Sequence, residues 1–163
     1  MPNIIHAALS FELSGYALYQ KVAKASKDQL SQMLFLSLAK QEKEHMNYIQ
    51  AFSKTTKFEK LDYLPLEKSI KKLFGGIKKK PLPISATQIK GYELALKLED
   101  KGYKLYQNAL VKAKTPAEKK FFTFLMNMEK EHYSGLANVY FYFTQNDSWL
   151  AENESQTWNW MNL

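Results

Sequence analysis

The sequence predicts an all-α protein: a four-helix bundle built from two repeated helical hairpins with a long crossover connection. Three observations carry this expectation. The chain matches itself when shifted by 87 positions. Apolar residues recur three and four apart through four long segments, the period of an amphipathic helix. Turn-forming residues separate those segments. Self-similarity at one fixed offset means two copies of one unit, and it takes precedence over any local reading.

The first helix carries the stripe Leu9, Glu12, Tyr16, Tyr19 and Ala23. Ser26-Lys27-Asp28 is a helix-start signal that closes the first turn. The second helix follows with Phe35, Leu38, Glu42, His45, Ile49 and Phe52 on one face. The connector, about 55–85, breaks the pattern with Pro65, Gly75-Gly76, Pro81 and Pro83, and carries the lysine runs Lys71-Lys72 and Lys78-Lys79-Lys80. A short helix is expected within it over 66–74, ended by the double glycine. The third helix repeats the first through Leu96, Glu99, Tyr103, Tyr106 and Leu110. Thr115-Pro116-Ala117-Glu118 is a capping box with proline at the first helical position. The fourth helix carries Phe122, Leu125, Glu129, His132, Leu136, Val139 and Phe143. The bundle is thus expected over 1–145. The tail, 146–163, is polar but holds Trp149, Trp158 and Trp160.

The matches are dense where they matter. Glu12, Gly15, Tyr16, Leu18, Tyr19 and Gln20 fall on Glu99, Gly102, Tyr103, Leu105, Tyr106 and Gln107. Glu42-Lys43-Glu44-His45 falls on Glu129-Lys130-Glu131-His132 without a difference.

A glutamate in an apolar stripe costs several kcal/mol unless it is paired or binds a metal. Four stand there: Glu12, Glu42, Glu99 and Glu129. His45 and His132 each follow a glutamate by three residues, so each pair shares one helix face and can grip one ion. Folding each unit near Lys27 and Lys114 puts both glutamates of a unit about 15 residues, or about 22 Å, from the turn. The six groups can then share one layer. A glutamate from each of two helices and Glu-x-x-His from each of the other two is the ligand pattern of di-iron carboxylate bundles. Carboxylate and imidazole suit iron or manganese better than structural zinc or copper. In this scheme Glu42 and Glu129 bridge the metals, Glu12 and His45 complete one shell, and Glu99 and His132 the other, with packing free to exchange the two histidines. Tyr19 and Tyr106, two turns from Glu12 and Glu99 on the same face, are candidate donors to the ligand carboxylates. Glu44 and Glu131 point off the seam and read as solvated; His6 and Glu93 read as structural or exposed.

On these residues, from about 4 to 143, the chain resembles the rubrerythrin-like branch of the ferritin-like superfamily. The doubled Glu…Glu-x-x-His arrangement, the Gly15–Tyr19 and Gly102–Tyr106 spacing, and the tail Asp147-Ser148-Trp149-Leu150-Ala151-Glu152 carry the likeness. The resemblance implies a non-haem di-iron site that reduces hydrogen peroxide or uses dioxygen. There are two departures. Rubrerythrins commonly add a rubredoxin domain with four cysteines, and this sequence has no cysteine. They also usually carry an extra glutamate one turn beyond the third-helix glutamate, where this chain has Gly102, so its six-ligand set is closer to the symmetric site of bacterioferritins.

Composition sets the remaining expectations. The absence of cysteine excludes disulfides, a thiol nucleophile and an iron–sulfur or rubredoxin centre within these residues; no haem is expected. Electrons should therefore come from a separate rubredoxin-like donor. No apolar run approaches the roughly 20 residues of a membrane span, and no secretory signal is evident, so a cytoplasmic location is expected; a homodimer is expected beside it, in keeping with the resemblance. All 23 basic residues are lysine, for a net charge of +7. Without arginine to read guanine, specific nucleic-acid binding is not expected; a DNA-protecting or scaffold bundle is the rival from another class. The nearer rival is a ferroxidase or iron-storage ferritin.

Overall fold

The computed structural model describes residues 2–58, 66 and 84–144. These form four long helices: α1 (Pro2–Ala25), α2 (Gln29–Thr55), α3 (Ala86–Lys112) and α4 (Pro116–Thr144), with no strand among the described residues. The expected 66–74 helix lies outside the described residues except for Leu66, which is helical and buried. The connector lysines and the tryptophan tail also lie outside them.

Local chemistry sets the helix ends. Asp28 caps α2, its carboxylate accepting from the Ser31 backbone N–H at 2.7 Å. The left-handed Thr56 (φ 52°) closes α2, its N–H reaching the Phe52 carbonyl at 2.8 Å. At α4 the capping box forms as expected: Thr115 Oγ1 accepts from the Glu118 N–H at 3.1 Å, and Glu118 Oε2 accepts from the Thr115 N–H at 3.1 Å. A second, unanticipated box starts α3. Ser85 Oγ accepts from the Gln88 N–H at 3.3 Å and Gln88 Oε1 from the Ser85 N–H at 3.2 Å. Ser85-Ala86-Thr87-Gln88 was its sequence signal. Gln88 Nε2 also donates to Asp28 at 2.7 Å, tying the start of α3 to that of α2.

Each helix has two neighbours. α1 packs on α2 and α3, and α4 packs on α3 and α2, leaving α1–α4 and α2–α3 as the diagonals. The three-residue turns make each hairpin antiparallel. The hairpins also meet antiparallel: going up α1 from Glu12 to Tyr19 corresponds to going down α3, because Tyr19 bonds Glu99 while Glu12 bonds Tyr106. α2 and α4 do the same through the ring pairs Tyr48–Phe124 and Phe52–Phe121.

Two apolar clusters result. Tyr19, Leu34, Phe35, Leu38, Tyr92 and Leu136 anchor one. Ile49, Phe52, Tyr106, Phe121, Phe122 and Leu125 anchor the other. Each fully buried Leu or Phe contributes about 1.5–3 kcal/mol, which offsets the desolvation of the polar layer between the clusters.

The seams of α1 and α3 follow the expected line at Glu12, Tyr19, Ala23, Glu99 and Tyr106 and depart from it at the positions between. Ala8, Gly15, Ala95, Gly102 and Ala109 are buried there, whereas Leu9, Tyr16, Leu96, Tyr103 and Leu110 flank the seam half-buried. The bulky residues yield the centre to glycine and alanine because carboxylates from α2 and α4 need that space.

Candidate metal centre

The six sequence-predicted donors meet in the middle of the bundle. Glu12, His45 and His132 have no measurable exposure, Glu99 and Glu129 are 1% exposed, and Glu42 is 2%. His45 Nδ1 lies 3.0 Å from Glu12, 3.6 Å from Glu129 and 3.9 Å from Glu42. His132 Nδ1 lies 3.1 Å from Glu42 and 3.5 Å from Glu99. The imidazoles stack with centroids 5.1 Å apart. Two overlapping groups emerge, Glu12/Glu42/His45/Glu129 and Glu42/Glu99/Glu129/His132, whose donor atoms lie within 4.8 Å of one another. Glu42 and Glu129 belong to both.

The register within each hairpin refines the level expected from the sequence. The turns centre on Lys27 and Lys114, but the facing pairs are Glu12 with His45 and Gly15 with Glu42, so α2 is offset slightly along α1 from an even fold. A Cβ on Gly15 would sit 3.1 Å from Glu42 Oε2. On Gly102 it would collide with Glu129 Oε2 and sit 2.7 Å from the Phe11 ring. Each glycine is thus the space that admits a shared carboxylate.

The outer contacts cross between hairpins. The Tyr19 hydroxyl donates to Glu99 and the Tyr106 hydroxyl to Glu12. Burial, then the Glu99 charge, pushes the Tyr19 phenol well above its usual range; burial and Glu12 do the same to Tyr106. Both therefore remain protonated donors. Glu44 is half-buried beside Lys40, whereas His6 and Glu93 are exposed, as expected of residues outside the cluster. Gln41 is a contact the sequence did not disclose: its Oε1 lies 2.9 Å from His132 Nε2.

Electrostatically the cluster is strained without a cation. Burial, then the Glu12 charge, pushes Glu42 well above the usual carboxylate range; burial, then Glu99, raises Glu129. Burial also raises Glu12, but His45, Glu42 and the Tyr106 hydroxyl outweigh it and hold it at about 2. Glu42 Oε1, Glu99 Oε2, Glu129 Oε1 and His132 Nδ1 are buried without hydrogen-bond partners among the described residues and face this common centre. Buried polar atoms are normally satisfied. Four carboxylates and two imidazoles with such atoms turned inward fit a pair of divalent cations, which neutralise the repulsion and fill the empty valences.

Fold and site together define a metal-binding, carboxylate-rich four-helix bundle of the ferritin-like superfamily. The rubrerythrin family model matches residues 3–140, and the chain belongs to that family. No curated protein and no solved structure matches it significantly.

Proposed function

We propose that the chain is a non-haem di-iron oxidoreductase that reduces hydrogen peroxide or dioxygen with electrons from a separate donor. The observation that carries this reading is the doubled cluster in which Glu42 and Glu129 are common to two donor groups. Glu12 and His45 would hold one iron and Glu99 and His132 the other, with manganese as the alternative metal. A bound iron pair would supply two electrons per turnover and open positions for a small oxidant.

The protein's own residues perform the rest. Tyr19 and Tyr106 fix one oxygen each of Glu99 and Glu12, leaving the second oxygen of each directed by a held carboxyl group. The apolar clusters above and below exclude bulk water and strengthen every charge interaction in the layer. The sequence contains no cysteine, so an iron–thiolate electron carrier lies outside these residues. A net charge of +7 favours docking of an acidic one, with turnover that falls steeply as salt rises. The setting that suits this partnership is a reducing cytoplasm, with the chain acting as a homodimer.

The test is anaerobic ferrous loading followed by stopped-flow mixing with peroxide or dioxygen. Rapid oxidation with peroxide as the preferred oxidant supports the proposal; a loaded protein inert to both defeats it. Ferroxidase or storage activity is the second reading, favoured by Gly102, whose lack of a side chain keeps the donor set symmetric. Solution mass separates the two. A species of about twice the 19.0 kDa chain mass is incompatible with a hollow storage cage.

A further inference from the structure

The two halves of the centre differ at one outer contact. Gln41 on α2 is 6% exposed, and its Oε1 lies 2.9 Å from His132 Nε2. The repeat-equivalent residue on α4 is Met128, 2% exposed. The antiparallel register fixed by Tyr48–Phe124 and Phe52–Phe121 sets Met128 level with His45, just as it sets Gln41 level with His132. Yet Nε2 of His45 is buried and has no hydrogen-bond partner among the described residues. A thioether is at best a weak acceptor.

This difference acts on the ligand nitrogen. A histidine that binds metal through Nδ1 carries its proton on Nε2. An acceptor at Nε2 fixes that tautomer, orients the ring and raises the basicity of Nδ1. Gln41 offers His132 such an acceptor, and His45 has none among the described residues. The remaining donors repeat between the halves, including the crossed tyrosine bonds to Glu99 and Glu12.

We infer that the two metal positions are inequivalent, and that Gln41 is the positioning residue that makes them so. The position lined by Glu42, Glu99, Glu129 and His132 is the tighter one and fills first. The position lined by Glu12, Glu42, His45 and Glu129 is weaker and exchanges its ion more readily. This inference rests on the di-metal reading above.

The test follows the two histidines separately, by NMR of the full chain labelled with 15N-histidine during stepwise addition of Zn2+, a diamagnetic probe. In the native protein the first equivalent should move the His132 resonances and the second those of His45. Gln41→Met should weaken the first step by about 10- to 100-fold and abolish the order, with two ions still bound. Met128→Gln should tighten the His45 position and narrow the gap from the other side. Native protein in which His45 moves first, or both move in parallel, would overturn the inference while leaving the di-metal reading intact. Two equivalents that move neither histidine would overturn that reading, and the inference with it.

Discussion

Glu12, Glu42, Glu99 and Glu129 owe their burial to small neighbours as much as to each other. Gly102 leaves so little room that a Cβ would collide with Glu129, whereas at Gly15 the nearest approach to Glu42 is 3.1 Å. Alanine gains about 1 kcal/mol over glycine in a helix interior. At Gly102 the overpacking, about 1–3 kcal/mol, offsets or exceeds that gain, so Gly102→Ala should lower stability in chemical denaturation and weaken metal binding about tenfold or more through the displaced carboxylate; Gly15→Ala should do both less. Equal losses at both sites in calorimetric binding would contradict this. Tyr19→Phe and Tyr106→Phe each remove the hydroxyl that holds a buried carboxyl group, an interaction worth about 1.5–3 kcal/mol with a charged acceptor. Each should lower metal affinity and leave the helical circular dichroism unchanged. The glutamates and histidines were legible because repetition at one offset made six separate coincidences implausible. Gly15 and Gly102 stood out in the same repeat, but their role in admitting a carboxylate did not, because it depends on which residue of the neighbouring helix they face. Gln41 was hidden for another reason: its role depends on the register of α2 against α4, and it stands where the repeat fails.

At the level of the helix, the ends were more legible than the faces. Thr115 and Glu118 formed the capping box their spacing announced, while Ser85 and Gln88 formed one inside the expected connector, where proline and lysine obscured the start of α3. Thr115→Ala should lower unfolding free energy by about 1 kcal/mol, the usual worth of an N-cap, as read from a denaturant midpoint with unchanged slope. Glu118 adds a pH dependence. The backbone N–H groups of Lys114, then Thr115, hold its carboxyl below the usual range. A depressed folded-state value means that its stabilisation is present at neutral pH and is lost as pH falls through that lowered value. The melting temperature of the native protein should thus fall more steeply in acid than that of Glu118→Gln. Coincident pH profiles would show that the contact carries no stability. The stripes of α1 and α3 held at Glu12, Tyr19, Glu99 and Tyr106, but at the turn between them Gly15 and Gly102, not Tyr16 and Tyr103, reach the axis. Hydropathy favours Tyr16 and Tyr103, but carboxylate volume decides which residues reach the axis.

Across the whole molecule, the bundle joins two apolar clusters through a polar layer that is self-repulsive on its own. Such a fold should be more stable loaded than empty. At a free ion concentration about 100 times the dissociation constant, binding adds about 2.7 kcal/mol, or about 5–10 °C in melting temperature for a domain of this size. Chelation should reverse the gain, and Glu129→Gln should melt no lower than the unloaded native protein while losing the metal response. The two-hairpin plan was legible throughout because one repeat fixes two helices at once, whereas the antiparallel contact between hairpins required the crossed Tyr19–Glu99 and Tyr106–Glu12 bonds. None of the described helices is long and apolar enough to cross a membrane. The most direct test of the central claim is the stoichiometry of anaerobic ferrous binding to the native chain and to Glu129→Ala. Two ions per native chain, with uptake abolished by the substitution, is the result expected of a carboxylate-bridged pair. No uptake by the native protein, or an unchanged stoichiometry in Glu129→Ala, would contradict it.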